Sequence, residues 1–197
     1  MGVKLDNTLV LLIGFAGTGK YTVGRELCDR TGAKLIDNHL INNSIFTVVN
    51  ADGITPLPTG VWTKVKEIRQ IVYSAIRELA PPHLSFVFTM EMIEGKPGEL
   101  GGFLDLAQLA ADRNSLFVPI RMICDVDELC RRVTDPGRVK MLKAISAEAA
   151  RRKGTEEMVL NPTHPNLRTL NVTNMSVKET VESILREIDL LKGLVKD

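Results

Sequence analysis

The sequence predicts an α/β domain in which helices cover both faces of a five-stranded parallel sheet. Five short apolar runs alternate along the chain with segments of helical period, which is typical of parallel strands joined by crossover helices. A glycine-rich segment directly follows the first apolar run. The length of 197 residues and the hydrophobic content of 44% suit a single domain with small insertions.

Composition excludes several classes of partner. The formal net charge of +1 gives no electrostatic reason to expect nucleic acid or an anionic membrane as a partner. The three cysteines are odd in number and none has Cys-x-x-Cys spacing, so a reducing environment is expected. No apolar run approaches the length of a membrane span or of a signal-peptide core. We therefore expect a cytoplasmic protein, and the sequence carries no feature that predicts an oligomeric state.

The glycine-rich segment has the spacing of a phosphate-binding (Walker A) loop. Residues 9–13 are predicted as a buried strand, and the motif Gly14-x-x-Gly17-x-Gly19-Lys20 follows. Glycines let the backbone approach phosphates with inward amides, Lys20 supplies charge, and the next helix adds its N-terminal end. A plain turn is the alternative. The predicted nucleotide contacts are Gly14, Phe15, Ala16, Gly17, Thr18, Gly19, Lys20, Tyr21 and Thr22.

The motif departs from its usual form after the lysine. A Ser or Thr hydroxyl normally follows and binds Mg²⁺, but Tyr21 stands there and Thr22 comes one residue later. This resembles the adenylate-kinase variant, in which the metal is held largely through water. Mg²⁺ prefers to keep several waters, so the departure is physically acceptable. We expect Thr22 at the α-phosphate and only the backbone of Tyr21 in the site.

The second predicted strand, 33–36, ends at Asp37, Asn38 and His39. Ligands of open parallel sheets lie beyond the carboxyl ends of the strands, so this tripeptide falls where a substrate is expected. Asp37 could orient an acceptor hydroxyl, take its proton or hold a water on Mg²⁺. Capping the next helix is the alternative for Asp37. His39 is a candidate substrate ligand, with a hydrogen-bonding surface residue as its alternative.

Residues 40–80 are predicted as a largely helical insert that covers the substrate, with a helical stripe running from residue 61 to Leu79. Arg69 lies off that stripe and is a candidate contact for an anionic substrate, although a solvated helix face is the alternative. Glu91 follows a third predicted strand, 84–89, and is a candidate for the substrate site or for metal-bound water. A plain loop carboxylate is its alternative.

The second half begins with a predicted glycine-rich loop at 95–102. A helix at 103–112, a strand at 116–124, a strand at 167–172 and a closing helix follow. Asn174 lies after the last strand, where adenine is expected. Between these strands runs a basic segment, Arg131-Arg132-x5-Arg138, at the start of a predicted lid over residues 131–160. Phosphoryl transfer needs cations and the exclusion of water, which such a cover supplies. An ordinary charged helix is the alternative.

This order of elements resembles the small P-loop kinases, with the shikimate-kinase-like group nearest and gluconate and adenylate kinases as wider relatives. The resemblance implies the three-layer P-loop nucleoside triphosphate hydrolase fold with parallel strand order 2-3-1-4-5. It implies that Arg131 or Arg132 stacks on adenine and that Arg138 contacts the transferred phosphate. Shikimate kinase has a second Asp where His39 stands, and three glycines where residues 89–91 stand. Shikimate itself is therefore not the expected substrate.

The sequence thus predicts a single kinase domain over residues 1–197 that moves the γ-phosphate of ATP to a hydroxyl or phosphate of a small metabolite. Lys20, Asp37 and Arg138 are the predicted catalytic residues. Mg²⁺ is expected to bridge the phosphates, and Asp37 is the predicted metal-site residue, which could hold a water on the ion. The alternative is a nucleotide-binding module, switch or ATPase without small-molecule transfer, for which Tyr21 is the main support. The Asn-Lys-x-Asp motif of guanine switches is missing after the late strands, which favours adenine.

Overall fold

A computed structural model describes residues 4–52, 55–134 and 146–194. Strands and helices alternate through these residues as the apolar periodicity predicts. The elements in chain order are β1 Thr8–Ile13, α1 Lys20–Thr31, β2 Lys34–Asp37, α2 Asn38–Phe46, α3 Val61–Glu78, β3 Phe86–Met90, α4 Glu99–Asp112, β4 Leu116–Ile123, α5 Val126–Val133, α6 Ala147–Glu156, β5 Arg168–Asn171 and α7 Val177–Leu194.

The five strands form one parallel sheet in the order β2-β3-β1-β4-β5, so the predicted fold class and strand order are confirmed. Every residue of β1 is buried, as expected of a central strand with helices on both faces. The last residue of β1, Ile13, is paired with Met90 of β3 and Arg121 of β4. The loop that follows β1 therefore begins at the middle of the carboxyl edge, where the strand order reverses and ligands bind in such sheets.

Side chains of β1 alternate between two cores, which makes the fold three-layered. Leu9, Leu11 and Ile13 pack in one core with residues of α3 and α4, among them Tyr73 and Phe103. The other core is formed by the alternate residues of β1 together with residues of α1 and α7, among them Val10, Leu12, Leu27, Ile184 and Ile188. A third, smaller cluster joins α2 to α3 through Ile41, Phe46, Val61 and Val65. This cluster holds α2 against α3, and α2 in turn contacts β2, an edge strand of the sheet.

Two local predictions are wrong. The glycine-rich segment 95–102 is not a loop throughout, because α4 begins at Glu99 after Gly98. Gly98 is the residue directly before α4 and has a φ of 86°, a backbone conformation that glycine adopts readily. The acidic Glu99 suits the N-terminus of the helix that follows. Leu79 belongs to the predicted apolar stripe, yet it is 80% exposed, because it caps the C-terminus of α3 where the helix leaves the core.

The predicted lid falls partly on α5 and α6, which flank the segment 135–145, and Arg138 lies outside the described residues. Ser146 caps α6 by accepting a hydrogen bond from the amide of Ala149 at 3.1 Å. Within the part of the chain that is described, no helix is long and apolar enough to cross a membrane.

Candidate functional site

The loop between β1 and α1 is shaped by its glycines. Gly17 and Gly19 have φ values of 92° and 87°, in the left-handed region that side chains disfavour. A Cβ atom on Gly14 would lie 2.7 Å from the carbonyl oxygen of Met122 and 2.9 Å from the Oγ1 atom of Thr18. Larger residues at these positions would force the backbone to move, so the motif residues are required by the loop conformation itself.

Lys20 closes this loop from the first turn of α1. Its Nζ atom donates to the carbonyl oxygens of Gly14 at 2.6 Å and Phe15 at 2.8 Å, and lies 3.4 Å from the Oγ1 atom of Thr18. Gly19, the residue before the helix, has no side chain with which to cap the first amides. The positive charge of Lys20 and the N-terminus of α1 therefore meet at one place, which suits an anion such as a phosphate chain.

The loop opens into a cleft with a volume of about 1560 Å³. One half of the cleft, which we call the β5 half, is lined by Arg131, Arg132, Val172, Met175, Ser176 and Thr180. The opposite half, which we call the insert half, is lined by residues of β2, α2, α3 and α4, among them Asp37, Asn42, Trp62, Arg69 and Glu99. The loop follows β1, which lies between β3 and β4 in the sheet, so the loop separates the two halves of the cleft.

Asp37 stands at the end of β2 and is 9% exposed. Its Oδ1 atom accepts a hydrogen bond from the hydroxyl of Thr89 at 2.5 Å, and its Oδ2 atom accepts one from the amide of His39 at 3.3 Å. Asp37 is the N-cap of α2, so the alternative that it caps this helix is confirmed. The same contacts hold the carboxylate rigidly at the wall of the cleft, because Thr89 belongs to the neighbouring strand.

Glu91 connects the phosphate-binding loop to α6. Its Oε2 atom accepts a hydrogen bond from the amide of Ala16 at 2.8 Å, and its Oε1 atom pairs with the ammonium of Lys153. Burial alone would raise the pKa of the Glu91 carboxyl, but the charges of Lys153 and Lys20 and the hydrogen bonds from Lys153 and Ala16 hold it below its ordinary value. Glu91 is therefore an anion at the loop, and Lys153 is its counter-charge.

The other predicted residues of the insert half lie on or beside α2. The guanidinium of Arg69 donates to the Oδ1 atom of Asn38 at 3.1 Å, so α3 is tied to the start of α2. His39 and Arg69 both line the cleft, together with Asp37 and Glu91. The structure thus brings the four predicted substrate residues into one cavity, and their roles toward a substrate stay predictions.

Of the three predicted adenine contacts, Arg131 and Arg132 line the β5 half. Arg132 donates to the carbonyl oxygens of Val172 at 3.1 Å and Thr173 at 3.0 Å, and both Arg131 and Arg132 pair with Glu128. Both arginines line the cleft. Asn174 is exposed and lies outside the cleft lining, where its neighbours Met175 and Ser176 are found instead. The contact of adenine with Asn174 stays a prediction.

The donor groups fit a magnesium ion that is held chiefly by phosphates and water. Among the described residues, no cluster of three His, Cys, Asp or Glu side chains is placed to hold a metal. Mg²⁺ on a nucleotide needs only one or two protein oxygens, and Asp37 offers a fixed carboxylate in the same cleft as the loop. Tyr21 and Thr22 also line the cleft, so the tyrosine that replaces the usual hydroxyl residue lies in the same cavity as Lys20 and Asp37.

Many residues of the cleft lining were not predicted from the sequence, among them Lys153, Asn42 and Trp62. Lys153 lies within the predicted lid but was not distinguished from its basic neighbours, Arg151 and Arg152. Asn42 falls in a segment without clear periodicity, and Trp62 lies off the apolar stripe of its helix. Trp62 is the one tryptophan of the sequence, and a tryptophan off the apolar stripe of a helix is a signal that could have indicated a ligand wall.

Comparisons with known proteins agree with the architecture. No family model matches the sequence, and no curated protein matches it. A gluconokinase from Sinorhizobium meliloti is similar in structure, with a TM-score of 0.64, 12% identity and coverage of 98% of this chain and 97% of the other.

Two further kinases give the same result. A thymidylate kinase from Candida albicans has a TM-score of 0.57 and 12% identity, over 95% of this chain and 93% of the other. A shikimate kinase from Acinetobacter baumannii has a TM-score of 0.53 and 14% identity, over 94% of each chain. Such low identities establish the fold and leave the acceptor open. The chain therefore has the fold of the P-loop small-molecule kinases, as the sequence predicts.

Proposed function

We propose that the protein is an ATP-dependent kinase that transfers the γ-phosphate of ATP to a small metabolite. The observation that carries the proposal is that one cleft contains both the phosphate-binding loop, with Lys20, and the anchored carboxylate of Asp37. A donor nucleotide and an acceptor have separate halves of this cleft. Their reacting groups would meet at the carboxyl edge of the sheet, where α/β folds bind ligands.

The nucleotide would occupy the β5 half. The loop amides and the N-terminus of α1 would hold the phosphates, Thr22 the α-phosphate, and Arg131 or Arg132 the adenine face. Lys20 would leave its two carbonyl partners and move to the β- and γ-phosphate oxygens, where negative charge builds up during transfer. When bound, Mg²⁺ would neutralise charge on the phosphates, and Asp37 would hold one of the waters on the ion.

The acceptor would occupy the insert half, between the α2–α3 insert (40–80) and α4. Asp37 would orient the acceptor or receive its proton, and the bonds from Thr89 and His39 keep this carboxylate in place. His39, Arg69 and Glu91 would surround the acceptor. The lid (131–160) would bring Arg138 to the transferred phosphate and exclude water, which limits wasteful hydrolysis of ATP.

We also infer the cellular compartment and the partner of the protein. Three cysteines without Cys-x-x-Cys spacing, together with a substrate such as ATP, lead us to place the activity in the cytoplasm. The expected partner is a small-molecule acceptor rather than a nucleic acid or a membrane.

Two measurements test the proposal. ATP with Mg²⁺ should raise the melting temperature of the wild type, and the rise should vanish in Lys20→Ala but persist in Lys64→Ala, a change of an exposed lysine on α3. ADP release should then increase when the right metabolite is added. If ATP binds and no metabolite increases ADP release above the basal rate, the kinase proposal fails.

The alternative function is a nucleotide-binding module or ATPase without a small-molecule acceptor. It is favoured by one observation, the position of Tyr21 in the cleft where a metal-binding hydroxyl is usual. Tyr21→Ser separates the two functions: a module poorly equipped for metal should gain Mg²⁺-dependent turnover, whereas a kinase with a water-held metal should change little.

A further inference from the structure

Arg132 is fixed in the β5 half of the cleft and still has hydrogen-bond donors to spare. Its Nε atom donates to the carboxylate of Glu128 at 2.6 Å, and its Nη2 atom donates to the carbonyl oxygens of Val172 at 3.1 Å and Thr173 at 3.0 Å. Its Nη1 atom donates to none of the described residues, and this atom is not buried. Because the side chain lines the cleft and is 22% exposed, the two N–H groups of Nη1 are accessible to a ligand.

The backbone of Val172, which lines the cleft after β5, has its hydrogen bonds made inside the protein. Its carbonyl oxygen accepts from the amide of Met175 at 3.4 Å as well as from Arg132, so both lone pairs of this oxygen are used. Its amide donates to the carbonyl oxygen of Ile123 at 2.8 Å. Thr173, the next residue, does not belong to the cleft lining. Val172 therefore offers a bound base no free hydrogen-bond acceptor.

The hydroxyl groups of the β5 half are also engaged. The hydroxyl of Thr180 donates to the carbonyl oxygen of Ser176 at 2.9 Å, and the hydroxyl of Ser176 donates to the carboxylate of Glu179 at 2.7 Å. Among the described residues, the side-chain donors that remain free in this half therefore belong to the two arginines. This part of the cleft is suited to a ligand that presents hydrogen-bond acceptors.

A nucleotide whose phosphates lie on the loop would place its base in this half, beyond the carboxyl end of β5. We propose that Arg132 recognises the base through acceptor atoms, and that the protein uses 6-oxopurine triphosphates such as GTP and ITP as readily as ATP. This inference rests on the kinase function proposed above and widens the set of nucleotides that supply the phosphate.

The chemistry of the purines gives the reason. Guanine and hypoxanthine carry two adjacent acceptors, O6 and N7, which match the N–H groups of an arginine. Adenine carries N7 beside an amine, and that amine finds no free acceptor on Val172. Because O6 and N7 are common to guanine and hypoxanthine, this contact does not sense the 2-amino group of guanine. It needs no Asn-Lys-x-Asp motif, which the chain lacks after its late strands.

Arg131 is a matched control one position earlier. It also pairs with Glu128, through two N–H groups at 2.7 Å, and it also lines the cleft. Its side chain is 71% exposed and donates to no carbonyl oxygen after β5. Loss of a charge from the cleft, or of a pair with Glu128, would therefore appear in variants of both arginines. A change in the preference between bases would appear in Arg132 variants alone.

The experiment is isothermal titration calorimetry with ADP, GDP, IDP and tripolyphosphate, each with Mg²⁺, and it needs no knowledge of the acceptor. In the wild type, the Kd values of GDP and IDP should not exceed that of ADP by more than about threefold. Arg132→Met should raise the Kd of GDP and IDP about tenfold and that of ADP less than about threefold, because the oxo group loses its hydrogen-bond donor. Arg131→Met should change the Kd of all three nucleotides by the same factor.

Two further measurements separate base recognition from other roles of Arg132. Tripolyphosphate has no base, so its Kd should differ by less than about twofold between Arg132→Met and the wild type, since salt screens a charge at that distance. Arg132→Lys keeps the charge but not the planar fork of N–H groups, so it should weaken GDP and IDP more than ADP, as Arg132→Met does. This second variant also covers the case in which Arg132→Met does not fold.

Four results would overturn the inference. These are a Kd of GDP in the wild type more than about threefold above that of ADP, a much weaker binding of IDP than of GDP, an equal loss for all three nucleotides in the Arg132 variants, or an equal loss for tripolyphosphate. If none of the nucleotides binds, the proposed function fails and the inference fails with it. If ADP and GDP bind alike but no metabolite promotes phosphate transfer, the proposed function fails alone.

Discussion

Replacing Lys153 by Met removes the cation that neutralises Glu91, and we expect this change to weaken the binding of adenine nucleotides. The Oε2 atom of Glu91 accepts a hydrogen bond from the amide of Ala16, 2.8 Å away, inside the phosphate-binding loop. A phosphate bound by the neighbouring loop amides would lie about 5 Å from this carboxylate. In the wild type, Lys153 offsets the repulsion between the two anions.

The size of the effect follows from Coulomb's law. Two like charges about 5 Å apart repel by about 3 kcal/mol at an effective dielectric constant of about 20. The side chains of Glu91 and Lys153 are 28% and 33% exposed, so water screens part of this energy. We expect a net loss of about 1–2 kcal/mol, which is a rise in Kd of roughly 5- to 30-fold.

Isothermal titration calorimetry with ADP and a non-hydrolysable ATP analogue, both with Mg²⁺, measures this loss. The double variant Glu91→Gln/Lys153→Met should bind close to the wild-type affinity, because no uncompensated charge remains. Arg152→Met, a change of the exposed preceding residue on α6, is the control and should leave the Kd unchanged. An unchanged Kd in Lys153→Met, or a double variant no tighter than the single one, would refute the reasoning.

Three more expectations concern stability and turnover. Because the pKa of Glu91 is lowered, its ion pair with Lys153 stabilises the fold at pH values above the ordinary titration range of a carboxyl. This contribution to the free energy of unfolding disappears as the pH falls through the lowered pKa. The difference in melting temperature between wild type and Lys153→Met should therefore narrow on acidification. Arg113→Met should lower the free energy of unfolding by about 2–4 kcal/mol, since the buried guanidinium donates to the carbonyl oxygens of residues 76, 80, 81, 82 and 84. Arg138→Ala should lower kcat far more than nucleotide affinity, as expected of a lid residue that acts on the transferred phosphate.

Each of these has a direct check. Circular dichroism melts at several pH values test the first, and a difference that stays constant or widens on acidification would contradict it. Denaturant unfolding tests the second, with Arg77→Met as the control, because the pair of Arg77 with Asp112 lies at the surface, with side chains 40% and 28% exposed, and should contribute less than about 1 kcal/mol. Steady-state kinetics alongside calorimetry test the third, and an equal loss of kcat and affinity would count against the lid role.

The phosphate-binding loop and the sheet around it could be predicted from the sequence because their signals are local. The run from residue 9 to Lys20 contains the strand, the glycines and the lysine within a dozen positions, and the structure adds only their exact contacts. The start of α4 could not be predicted in this way, because the local signal there points away from a helix. Glycines 101 and 102 lower helix propensity, yet α4 includes them, because Phe103 and Leu106 anchor its buried side in the core.

The contacts that define the candidate site could not be predicted, because they join residues that are distant in the chain. Glu91 meets Ala16 across 75 positions and Lys153 across 62. The hydroxyl of Thr89 reaches Asp37 across 52 positions because β2 and β3 are neighbours in the sheet. Periodicity and motif spacing describe only near neighbours, so they do not register such pairs.

By itself, the sequence determined the order of strands and helices and a nucleotide-type loop ending in Lys20, since hydrophobic period and glycine geometry act within a few residues. Only the tertiary structure decided which side chains surround that loop, as in the pairing of Glu91 with Lys153 and the anchoring of Asp37 by Thr89. The physical reason is that burial and hydrogen-bond partnership belong to the packed chain, and a residue acquires them only when distant segments meet.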